Sequence, residues 1–117
     1  MDPEHVLVLR SSQAEPHSTD GRQVFAGLFG PETAADAVEL FDVTFPRQTR
    51  LGVHWHTGDL AACVTAGGVE FVFGDESVVL ASGDYIRIRA SVAHDERSAD
   101  GVSMAVAHVG PFENVFP

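Results

Sequence analysis

Lysine is absent from the 117 residues, and all seven basic side chains are arginine. A chain without lysine cannot run Schiff-base catalysis with its own side chains. Positive charge of any kind is scarce: seventeen acids leave a formal net charge of -10. That balance repels phosphate backbones and anionic lipid, so neither nucleic acid nor a membrane is an expected partner. The one cysteine, Cys63, rules out an intramolecular disulfide. It lies in the run LAACV with no cation beside it in sequence to stabilise a thiolate, and reads as a small buried hydrophobe rather than a nucleophile. Long apolar runs are missing as well. The N-terminus, MDPEHVLVLR, is acidic first with a short apolar stretch, and is expected to be neither a signal peptide nor a membrane span. A reducing cytoplasm is the expected setting.

What is present is a 44% hydrophobic content, enough for one compact domain over 1–117 with a real core. Short runs rich in Val, Ile and Phe are separated by Gly, Pro, Asp and Ser, the pattern of many short strands. Helical periodicity is weak. Strands are predicted over 5–10, 22–29, 37–45, 52–57, 60–66, 69–74, 77–81, 84–89 and 101–109, with turns at GPETAAD, PRQTR, TGD, AGG, GDES and ASGD. Residues 1–21 read as an N-terminal strand and loop, the polar stretch 11–21 being the loop, and 22–117 as the barrel. One helical turn can form in 31–38, where Pro31 opens a stretch that tolerates it. The expected class is therefore all-β, an antiparallel sandwich or barrel able to hold a small ligand.

Chemistry concentrates at His54-Trp55-His56 and at His94, inside GDYIRIRASVAH. Residues two apart on a strand share a face, so His54 and His56 present two imidazoles toward one point, and a third from another strand completes a metal site. Alternation places Val53 and Trp55 on the opposite face.

At these residues the chain resembles the cupin family of small β-barrels, in the jelly-roll or double-stranded β-helix form. The family's first motif runs glycine, five residues, His-x-His, three or four residues, Glu, six residues, glycine. Its second runs glycine, five residues, Pro-x-Gly, two residues, His. His54 and His56 fill the pair, Gly67 or Gly68 the closing glycine, Gly83 the opening of the second motif and His94 its histidine. The direct match covers 48–94. The departures are Gln48 for the opening glycine, Leu60 or Ala61 for the glutamate, and Arg89-Ala90-Ser91 for Pro-x-Gly.

Losing the glutamate removes the family's usual fourth ligand, and two readings compete. In the first, His54, His56 and His94 alone hold one divalent transition metal. That is similar to the three-histidine members, among them iron dioxygenases that cleave small diketones and hydroxyketones; the resemblance favours Fe(II), while imidazole ligation also suits Zn, Mn, Ni or Cu. In the second, Asp59 swings in as a fourth ligand. The first is favoured, because a one-residue shift flips a strand side chain to the opposite face.

Three further residues are candidates for roles at the site. His108 follows Val102, Met104 and Val106 in alternation, and reads as a core histidine or a group behind the ligands. Arg87, with Arg89, shares a strand side with Tyr85; either arginine entering the cavity would bind a substrate carboxylate or enolate, the alternative being two surface arginines answering the acids, with Asp95 and Glu96 as partners. His5 and His17 carry no such pattern. The apolar ending PFENVFP is expected to pack on the barrel or on a second subunit, and a homodimer is the expected assembly. The resemblance implies an enzyme acting on a small molecule, a dioxygenase-type oxidoreductase first, with an isomerase, lyase or cyclase as the alternative. A non-catalytic binding module is the competing class; it normally needs an output domain, and none is expected in a chain of this length.

Overall fold

The protein is described by a computed structural model covering residues 2–13 and 21–117. Residues 14–20, which include His17 and most of the expected polar loop, lie outside the described residues. The strands in chain order are β1 (Val6–Leu9), β2 (Val38–Phe45), β3 (Thr49–Arg50), β4 (Trp55–His56), β5 (Leu60–Phe73), β6 (Glu76–Ala81), β7 (Tyr85–Ile88), β8 (Asp95–Ser98), β9 (Val102–Val109) and β10 (Asn114–Val115). One α-helix, α1 (Gly21–Phe29), and 3-10 turns at Ser11–Gln13 and Ala35–Ala37 complete the described elements.

Among the described residues all strand pairs are antiparallel, and β5 organises them. Its first residues, from Leu60, run between β7 and β9, in a layer ordered β1-β7-β5-β9-β2. Its later residues, to Phe73, run between β6 and β8, and β3 pairs with β8 beyond them. The strand passes from one layer to the other through a register shift between Val64 and Ala66. Gly67 follows with φ of 76°, where any Cβ would run into the Gly101 carbonyl. The sequence AGG, expected as a turn between two strands, thus continues one strand just past a bulge at Thr65, the usual device by which a strand bends.

The core follows period-two alternation. Leu60, Ala62 and Val64 of β5, Ile86 and Ile88 of β7, and Val102, Met104 and Val106 of β9 point between the layers, where they meet Phe71 and Leu80. The intervening residues Ala61, Cys63, Tyr85, Ala105 and Ala107 form the outer face of the first layer, and α1 lies over it.

That helix corrects the strand expected at 22–29. Phe25, Ala26, Leu28 and Phe29 are the buried residues of α1, and their spacing is helical. The small outward residues of β5 and β9 leave a flat apolar surface that only a covering element can bury, and this tertiary demand overrides the strand preference of Val and Phe. Strand β8 was not foreseen, because its sequence, DERS, has no apolar alternation. It is held by polar pairing instead: Asp95, 2% exposed, accepts from Arg50 Nε, Arg97 Nε and the Gly52 amide. The helical turn expected within 31–38 is present as Ala35–Ala37.

Candidate metal centre

His54 and His94 face each other across an isolated bridge, each amide donating to the other's carbonyl at 2.9 Å. Such a hydrogen-bonded pair sets the two side chains beside one another on one face. His56 shares that face, two residues on, and is pinned by β10, whose Asn114 lies opposite it. The three rings gather with centroids 4.4 Å (His54 to His94) and 5.0 Å (His56 to each of the others) apart. Each offers a ligand nitrogen within 4.8 Å of the others. All three are buried, whereas Val53 is 53% exposed: the imidazoles face inward and a hydrophobe faces out.

The hydrogen bonds choose the tautomer. Nδ1 of His54 lies 2.8 Å from the Gly52 carbonyl, Nδ1 of His94 2.9 Å from the Val92 carbonyl, and Nδ1 of His56 2.7 Å from Asn114 Oδ1. An amide oxygen only accepts, so each Nδ1 carries a proton, which leaves Nε2 as the lone pair of each ring in its neutral form. Burial drives the His56 and His94 pKa values down to about 4, so both are neutral near pH 7. The Nε2 of His94 is buried without a hydrogen-bond partner. An unsatisfied acceptor beside two more lone pairs is costly in a metal-free core and is what an ion would satisfy, so the residues fit a divalent transition metal.

Several groups around the trio were not legible as site residues. The Glu96 carboxylate comes within 3.5 Å of His54 Nε2, and burial, with Asp95 nearby, raises its pKa to about 7. Once β8 is seen to be a strand, Glu96, two residues after His94, falls on the same face. Phe116 stacks on His54 at 4.9 Å, and Phe112 on His56 at 4.7 Å. The C-terminal PFENVFP therefore packs on the barrel, at the metal centre itself. A cavity of about 270 Å³ opens onto His54, His56 and Glu96, walled largely by Val43, Phe45, Leu51 and Phe116.

The remaining candidates fall elsewhere. Asp59 is engaged elsewhere and is not grouped with the three histidines: its carboxylate accepts from Arg89 Nη1 at 2.7 Å and from the Ala90 amide at 2.8 Å. Arg87 does not enter the cavity. It lies on the α1 side of β7, donating to the Leu28 and Pro3 carbonyls at 2.9 and 2.7 Å, so its partners are neither Asp95 nor Glu96. Tyr85 is on that same side against Phe25, and burial pushes its pKa to about 12. The alternation that turns Ile86 and Ile88 into the core turns both away from the histidines. His108 stands behind the site, with Nδ1 2.9 Å from the Gly110 carbonyl and its ring stacked on Phe112, which in turn covers His56. His5 contributes its carbonyl to the Arg89 amide.

The family model described as "Cupin domain" matches residues 41–110, more than half of the chain and all three histidines. The chain belongs to the cupin family. Solved cupins share its fold at low identity. A cupin superfamily protein from Desulfitobacterium hafniense is 15% identical, with 91% of this chain and 78% of that one covered and a TM-score of 0.58. A DMSP lyase from Ruegeria pomeroyi is 23% identical, over 64% of this cupin and 39% of the lyase, with a TM-score of 0.59. A sugar phosphate isomerase of the cupin superfamily from Silicibacter pomeroyi is 16% identical, over 64% and 52%, with a TM-score of 0.55. At these identities the likeness is one of fold, and this cupin spans only part of either enzyme. No curated protein matches it. Among the described residues, no helix is long and apolar enough to cross a membrane.

Proposed function

We propose that this cupin is a mononuclear metal-dependent enzyme acting on a small, enolisable molecule, with Fe(II) as its ion and a dioxygenase-type oxidation as its reaction. The observation that carries the reading is the set of Nε2 lone pairs, the orphaned one of His94 among them, gathered beside a small and largely apolar cavity. A bound divalent ion would supply Lewis acidity toward an enol or carboxylate oxygen and, as Fe(II), reducing electrons for oxygen. The protein's own contribution is binding and exclusion. Val43, Phe45, Leu51 and Phe116 favour a compact substrate with an apolar body and keep bulk water out. Among the described residues no arginine lines this cavity, so an anionic group would be held by the ion rather than by a guanidinium fork.

A second reading, a non-oxidative lyase or isomerase, is supported by the activities named for two fold relatives, a DMSP lyase and a sugar phosphate isomerase. Oxygen consumption separates the two. Fe(II)-loaded protein given small diketones and hydroxyketones should consume oxygen in proportion to substrate lost. Substrate loss without oxygen uptake would transfer the assignment to the second reading, and silence with every ion and substrate class would favour a binding module. A cytoplasmic setting belongs to the same proposal. So does a homodimer, for which edge strand β2, paired among the described residues only with β9, offers the exposed Leu40 and Phe41; a monomer in sedimentation would remove it.

A further inference from the structure

The first motif lacks its glutamate, and the positions where it would fall, Leu60 and Ala61, are both buried among apolar side chains. Neither can reach the histidines with a carboxylate. A buried carboxylate nevertheless stands at the site, carried by a different strand. Glu96 lies on β8 two residues beyond His94, which turns it to the same face as that ligand. Strand β8 is held in register there: the Glu96 carbonyl accepts from the Leu51 amide at 3.0 Å, and the neighbouring Asp95 points to the other face, into Arg50, Arg97 and Gly52. The Glu96 side chain is 11% exposed, and among the described residues the one polar side-chain atom against its carboxylate is His54 Nε2 at 3.5 Å.

We infer that Glu96 is a fourth protein ligand of the metal, supplied by the strand of the second motif in place of the glutamate missing from the first. The inference rests on the metal site proposed above. Two ligand atoms adjacent on one ion, each bonded at about 2.1 Å, stand roughly 3.0–3.4 Å apart, so 3.5 Å from His54 Nε2 is close to a ligand's place. The three histidines alone satisfy the mutual spacing of the group. Glu96 lies outside that spacing, so its side chain must turn to bring the carboxylate onto the ion; among the described residues no side-chain hydrogen bond holds it where it is. An isolated buried carboxylate is costly, and pairing it with a divalent cation offsets that cost. Three imidazoles and one carboxylate would leave two positions of a six-coordinate ion open, enough for a bidentate substrate or for one substrate atom and one small co-reactant.

The test uses Mn(II) or Zn(II) alone, with wild type, Glu96→Gln and His94→Ala. Wild type should bind one ion per chain and His94→Ala should bind none, which establishes the site independently of Glu96. Glu96→Gln should then weaken Zn(II), measured by chelator competition, by roughly 10–100-fold, at least the loss that removing an outer partner of a ligand produces. Water-proton relaxation of its Mn(II) form should report one more bound water than wild type. Unchanged affinity and an unchanged water count in Glu96→Gln would overturn the assignment while leaving the three-histidine site intact; no ion in wild type would overturn both. Thermal melting of the metal-free variant shows whether it folds. If it does not, Glu96→Asp, whose carboxylate is one methylene farther back, carries the same expectation with a smaller loss.

Discussion

Replacing Asn114 with alanine tests whether the C-terminal segment is part of the metal centre or only a cover for it. Asn114 Oδ1 accepts the Nδ1 proton of His56 at 2.7 Å; His56 is 5% exposed while Asn114 itself lies at the surface, so alanine there removes the ring's protein acceptor and leaves only water to replace it. In the metal-free variant the His56 ring escapes by moving its proton to Nε2 or by rotating. Binding an ion at Nε2 then forces the proton back to an Nδ1 that has lost its protein partner. Leaving a buried donor unsatisfied costs about 1–3 kcal/mol, equivalent to roughly 5–150-fold in affinity, an estimate that overlaps the 10–100-fold typical of outer partners of metal-bound histidine. Strand β10 should stay docked, because the Thr57 amide still donates to the Glu113 carbonyl and the Glu113 amide to Thr57 Oγ1. Zn(II) competition against a chromophoric chelator reads the loss without redox side reactions. Asn114→Asp keeps an acceptor at the same place and should bind within a few-fold of wild type or more tightly. Asn114→Ala within twofold of wild type, or Asn114→Asp as weak as Asn114→Ala, would show that the His56 Nδ1 bond contributes nothing to metal binding.

Two further outcomes are expected. Arg87→Met should lower stability by about 2–4 kcal/mol through the lost bonds to the Leu28 and Pro3 carbonyls, and should leave Zn(II) affinity unchanged; chemical denaturation and chelator competition read the two separately. In the metal-free protein, stability should fall as pH drops from about 6.5 toward 4. The folded His56 and His94 have pKa values near 4, so the unfolded chain binds more protons in that window. Glu96, raised to about 7, acts with the opposite sign, since the folded state holds the extra proton above pH 4.5. Glu96→Gln should therefore steepen the profile, and urea titrations across pH in the presence of chelator would expose a flat profile if the burial argument is wrong.

The parts of this molecule that were legible in its sequence are those where one rule acts alone. Period-two alternation set His54, His56 and the core residues of β5, β7 and β9 on their faces. Motif spacing reached His94. The strand expected at 22–29 failed because Phe25, Leu28 and Phe29 answer to a flat patch of alanines that exists only once β5 and β9 have paired. The turn expected at AGG failed because a glycine that bends a strand and one that ends it read alike. Strand β8 was hidden by its charges: Asp95 is buried by partners at Arg50, Gly52 and Arg97, only the last a near neighbour in sequence. Glu96 was hidden with it, its face being defined only once β8 is seen to be a strand. Asn114 and Phe116 could be assigned to the barrel or to a partner from their apolar surroundings, but their place at the histidines depends on the pairing of β10 with β4.

Metal content and Zn(II) affinity of the whole chain beside its His94→Ala variant test the three-histidine site most directly. One ion per chain in wild type, lost from His94→Ala while the variant still melts cooperatively, is the result expected from three converging Nε2 lone pairs. An ion retained by His94→Ala with wild-type affinity would contradict it.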